Sequence, residues 1–161
     1  MTIFGVSMFY SFKRAIAILL VSLSTMLATT NAFAVDPVYT SRFSNNAIKG
    51  YDTVAYFTQG EAIEGKKEFS TEYMGANWLF SSQEHLDLFV ANPEKYAPQY
   101  GGYCAYAVAK NSTASIQPDQ FTVHEGKLYL NYNKKVNQKW LQDKENFISQ
   151  ADSNWPGILA K

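Results

Sequence analysis

With 161 residues, 47% of them apolar and 16% aromatic, and with 14 basic side chains balancing 14 acidic ones, the chain has the length and apolar content of a single globular domain. It lacks the basic excess that nucleic-acid or anionic-membrane binding draws on. A single cysteine, Cys104, excludes an internal disulfide, so the fold must stand on its core alone.

The first residues read as a secretory signal. The basic pair Lys13-Arg14 precedes an apolar run from Ala15 to Leu27, and Ala32-Phe33-Ala34 places small residues where a signal peptidase reads them. Cleavage is expected between Ala34 and Val35, with Met8 an alternative start to Met1. Ser22, Ser24, Thr25, Thr29, Thr30 and Asn31 interrupt the apolar stretch, whereas a membrane span needs about 20 mostly apolar residues. The expected product is therefore periplasmic or secreted, without a stable membrane anchor. It is one domain of 127 residues, 35–161, in which 12 basic residues face 14 acidic ones for a formal charge of −2.

Residues 35–46 read as a loosely held arm. Tyr51 to Phe57 is β-prone and reads as a strand or extended segment closed by Thr58-Gln59-Gly60. Lys67 to Tyr73 alternates, with Phe69, Thr71 and Tyr73 on one side, and Met74-Gly75-Ala76 turns it into Asn77 to Phe80 as a hairpin. Ser81 followed by Glu84 has capping-box spacing for a helix from Ser82 to about Ala91, which Asn92-Pro93 ends. In Tyr100 to Val108, Gly101-Gly102 permits a strained turn, and the small apolar run after the glycines reads as a short buried helix. Asn111 to Pro118 reads as a loop. A second hairpin reverses at His124-Glu125-Gly126, Asn133 caps a helix with Val136, Trp140 and Leu141 on one face, and Phe147, Ile148 and Ala151 mark another. Asn154-Trp155-Pro156-Gly157 is expected to stop it. Hairpins with separate helices give an α+β class: small antiparallel hairpins packed with a short central helix and C-terminal helices.

Gly50-Tyr51-Asp52-Thr53-Val54-Ala55-Tyr56-Phe57, Trp78-Leu79-Phe80-Ser81-Ser82 and Phe89-Val90-Ala91-Asn92-Pro93-Glu94-Lys95-Tyr96 resemble, in order and spacing, the YHS domain family. Tyr100-Gly101-Gly102-Tyr103-Cys104-Ala105-Tyr106 and Gly126-Lys127-Leu128-Tyr129-Leu130-Asn131-Tyr132-Asn133 look like its exported, single-domain branch. The resemblance implies a small metal-associated module. It also shows a departure: Ala55, Ser81 and His85 stand where metal-associated relatives carry cysteines, so a metal would have to be held differently.

The soft or borderline ligands that remain are Cys104, His85 and His124, a set that suits copper or zinc by ligand type, with copper(I) favouring the thiolate. Their spacings of 19 and 20 residues match no compact metal motif. Against the metal role stand a buried apolar cysteine, a helix histidine bonded to a carbonyl, and a histidine in an exposed turn at 124. Cys104 with either histidine would be the minimum for thiol catalysis, but no orienting residue can be assigned. Asp52 with Glu84 or Asp87 reads as capping and helix-surface carboxylates, and no phosphate loop or nucleophile elbow is present. Tyr51, Tyr56, Tyr100, Tyr103 and Tyr106 offer either an aromatic core or a ligand-binding surface. The expectation is a non-enzymatic binding module for a transition metal, copper first, through Cys104 and His85. The alternative is a module for a small organic ligand or a periplasmic protein partner using the tyrosine-rich surface.

Overall fold

The structure, a computed structural model, describes residues 35–161; the expected signal segment, 1–34, lies outside the described residues. The domain is α+β. Strands β1 (Thr40–Ser41) and β2 (Ser44–Ala47) lead through a turn into helix α1 (Ala55–Thr58). The hairpin β3 (Lys66–Tyr73) and β4 (Ala76–Phe80) follows, then helices α2 (Gln83–Ala91), α3 (Pro93–Tyr96) and α4 (Ala105–Ala109). The hairpin β5 (Gln117–His124) and β6 (Lys127–Asn131) precedes α5 (Lys134–Gln142) and α6 (Lys144–Leu159). The first sheet runs in the order β1-β2-β4-β3, with β2 parallel to β4, and β5-β6 forms the second.

Both expected hairpins are present, and their turns share one cause. Met74-Gly75 and Glu125-Gly126 all have positive φ, from 49° to 79°, the two-residue reversal whose twist matches that of the flanking strands. The alternation of β3 holds, with Phe69, Thr71 and Tyr73 half-buried and their neighbours exposed.

Four expectations are corrected. Residues 35–46 are not a loose arm: Val38 is buried, the Tyr39 amide donates to the Gly101 carbonyl at 2.8 Å, and β1 and all but the last residue of β2 lie in this stretch. The run from Tyr51 to Phe57 is not a strand, because the Asp52 carboxylate accepts the amides of Val54 and Ala55 and starts α1 there. Local side-chain capping overrides β propensity. The cap of α2 is Ser82, which accepts the His85 amide, rather than Ser81. Finally, α6 runs through Pro156 to Leu159; Pro156 and Asp152, four residues before it, are both exposed, so the carbonyl that loses its amide partner does so on a hydrated face. In α5, Trp140 is fully buried while Leu141 is about half exposed, so only part of the expected face packs inward.

Two apolar clusters result. One joins Trp78, Phe80 and Phe89 of β4 and α2 with Ile48, Val54, Tyr56 and Leu128. Trp78 stacks on Phe89 with centroids 4.9 Å apart, and Phe80 lies 5.0 Å from Phe89; such pairs add about 0.5–1.5 kcal/mol beyond the area they bury. The other gathers Tyr129 and Trp140 with Tyr100, Val108, Ala151 and Ile158. In the segment Tyr100-Gly101-Gly102, with φ of 56°, 59° and 83°, Tyr100 belongs to the second cluster while Gly102 lies against Ile48 of the first.

Candidate functional site

Asp52 is the polar hub of the first cluster. It is fully buried, and its carboxylate accepts five hydrogen bonds. Oδ1 takes the Val54 and Ala55 amides at 2.9 and 3.2 Å. Oδ2 takes the Ser81 amide at 2.8 Å, the Ser81 hydroxyl at 2.6 Å and His85 Nδ1–H at 2.6 Å. The far ring nitrogen, Nε2, lies 3.3 Å from Thr58 Oγ1, whose hydroxyl also reaches the Val54 carbonyl at 3.1 Å. One buried anion thus ties the start of α1, the end of β4 and the first turn of α2 together. Its capping role was legible; its histidine partner was not. Of the carboxylates considered beside it, Glu84 is exposed and Asp87 accepts from Gln83 Nε2 on the surface of α2.

Cys104 is 1% exposed, at the start of α4. Its thiol donates to Asn131 Oδ1 at 3.6 Å, an oxygen that also accepts the Tyr106 amide at 3.2 Å. Burial pushes the thiol up from its usual range, the opposite of what a nucleophile or thiolate ligand needs. Alkylation by iodoacetamide is accordingly expected to be slow in the folded protein and fast after denaturation, followed by intact mass. Rapid labelling of folded protein would contradict the burial.

His124 corrects a further expectation. It is the last residue of β5, partly buried, with Nε2 3.0 Å from Glu145 Oε1. The candidate ligands therefore have separate settings: His85 on Asp52 and Thr58, Cys104 on Asn131, His124 beside Glu145. Among the described residues, no group of three or more His, Cys, Asp or Glu is placed to hold one metal ion. Both nitrogens of His85 have protein partners, and the Cys104 sulfur is enclosed. The set does not fit a resident transition metal, copper included.

The tyrosines also divide. Tyr56 is buried in the core, donating to the Pro118 carbonyl at 2.9 Å and packing on Phe121; burial raises its pKa. Tyr51 donates to Glu64 at 3.3 Å. Tyr103 packs between Tyr39 and Trp155, and Tyr106 against Phe147. The five do not form one surface. Of the five, Tyr100 alone lines one of the three described clefts.

That cleft has a volume of about 510 Å³ and lies where the two apolar clusters meet. One wall is Tyr73, Met74 and Trp78 from the first hairpin; the other is Tyr100 with Trp155 and Leu159 of α6. Pro37 and Val38 of the N-terminal segment close one side. Polar groups are few: Glu94, Gln99 and Asp152. The Tyr100 hydroxyl donates to Asp152 at 2.8 Å, and burial with this bond raises the phenol's pKa. Two smaller clefts, of about 270 and 280 Å³, adjoin Met74-Gly75 and Lys49 with Tyr132. Neither His85 nor Thr58 lines any of the three. Sequence reasoning missed Trp155, Glu94 and Asp152. The available signal is a tryptophan beside proline near the end of an amphipathic helix, a pattern that reads as a stop.

Residues 54–100 match the model of a protein family described as YHS domain. No curated protein matches. No solved structure matches. The match covers α1, the first hairpin, α2 and α3 and ends at Tyr100, so it supplies one wall of the cleft and Glu94, while Asp152 and Trp155 lie outside it.

Proposed function

We propose, from the premise that this chain carries a YHS domain, that it is an exported, non-enzymatic module binding a small organic ligand in the cleft between the first hairpin and α6. The observation that carries this reading is the cleft's composition. Its volume is in the range of small-molecule sites, and aromatic and aliphatic side chains line it with a few convergent polar groups, the usual composition of such sites. The Tyr100 to Asp152 bond fixes one polar edge, and pre-organisation of this kind lowers the ordering cost of binding.

A transition-metal module has weaker support, since the donors it would use are apart and engaged. A catalytic reading has an imidazole oriented by Asp52 and facing Thr58, but neither residue lines any of the three described clefts.

Equilibrium dialysis of the mature domain against a panel of neutral and charged aromatic fragments tests the reading. Saturable binding is expected for wild type, falling at least about tenfold in Trp155→Ala, as for loss of a central aromatic anchor. Far-UV circular dichroism of the variant controls for folding. Binding that survives the substitution in a folded variant would contradict the proposal.

A further inference from the structure

The cleft's charge pattern narrows its ligand. Glu94 and Asp152 are its only ionisable residues apart from the tyrosines, and no lysine, arginine or histidine lines it. The nearest cation in sequence, Lys95, is turned to the Tyr96 ring, 4.8 Å from its centroid. Both carboxylates are exposed while the aromatic rings beside them are half-buried or buried, so a ligand meets charge at the rim and π faces deeper in. Trp155 is fixed against Tyr100 and Tyr103, with centroids 6.1 and 5.9 Å away. Tyr73 is similarly held by Trp78 and Phe89. An anion would meet two carboxylates with no counter-charge. A neutral apolar ligand would leave them without a role. An organic cation with an apolar body satisfies both features, because aromatic faces attract ammonium groups and the carboxylates add Coulomb attraction.

We infer that the ligand of this cleft is a small organic ammonium compound with an aromatic or aliphatic body; this rests on the cleft being the binding site. Isothermal titration of the mature domain with benzyltrimethylammonium, benzyl alcohol and benzoate separates the two ideas. The cation is expected to bind about tenfold more tightly than the alcohol, a ratio in line with a desolvated cation–π contact assisted by charge, with benzoate weakest. The advantage should shrink severalfold in Glu94→Gln and in Asp152→Asn, whose amide oxygen can still accept from Tyr100, and it should weaken with added salt. Equal binding of cation and alcohol would overturn the charge assignment while leaving the cleft as a site. Failure of all three to bind folded wild type would overturn the cleft reading itself.

Discussion

Asp52→Ala is expected to lower the unfolding free energy by about 3–5 kcal/mol, the range for removing one partner of a buried ion pair or charged hydrogen-bond network. Five donors converge on this carboxylate, among them three backbone amides, from Val54, Ala55 and Ser81, and the ring of His85. Alanine satisfies none of them and leaves the donors facing a small void between α1, β4 and α2. Domains of this size have about 5–15 kcal/mol in total, so the variant should sit close to its unfolding threshold. Asp52→Asn should fall between the two proteins. Its oxygen can still accept the amides that start α1, but its NH₂ then faces the Ser81 amide, a donor against a donor. Urea denaturation followed by tryptophan fluorescence measures both, and a loss under about 1 kcal/mol for alanine would mean the hub is dispensable.

Gly101→Ala is the second large effect, and it reaches the cleft directly. Gly101 sits at φ of 59° with the Pro37 backbone laid against it, so a Cβ there would overlap the Pro37 carbonyl oxygen. The left-handed conformation alone costs a non-glycine residue about 1–2 kcal/mol, and the overlap adds an overpacking cost of about 1–3 kcal/mol. The cheapest relief is for residues 35–38 to lift away, breaking the bond from the Tyr39 amide to the Gly101 carbonyl. Two results are expected together: a stability loss of about 2–5 kcal/mol and weakened ligand binding, because Pro37 and Val38 form one side of the cleft. Hydrogen exchange should report the Tyr39 amide as newly labile. Unchanged protection of that amide would contradict the role given to the N-terminal segment.

The hairpins were legible because their signals are local: alternation along β3, and glycine in each two-residue turn. The helix caps were nearly so, since Asn133 accepts the Val136 amide as its position predicts, while Ser81 and Ser82 exchanged roles by one residue. That exchange has a tertiary cause. Ser81 is drawn to Asp52, 29 positions away in sequence, and no local pattern encodes such a pairing. The same limit applies to the site. Ligand type singles out Cys104, His85 and His124, but ligand type carries no information about distance, and each lies beside a different protein group. The cleft is hidden because its walls come from opposite ends of the domain, Pro37 and Val38 with Tyr73, Trp78 and Trp155, and because a proline at 156 reads as a helix stop.

The most direct test is a two-dimensional ¹H–¹⁵N spectrum of residues 35–161 titrated with benzyltrimethylammonium. The account predicts saturable shifts confined to the amides around Tyr73 to Trp78, Glu94 to Gly101 and Asp152 to Leu159. Shifts centred instead on Thr58, Ser81 and His85, or on Cys104 and Asn131, would place the site elsewhere and contradict it.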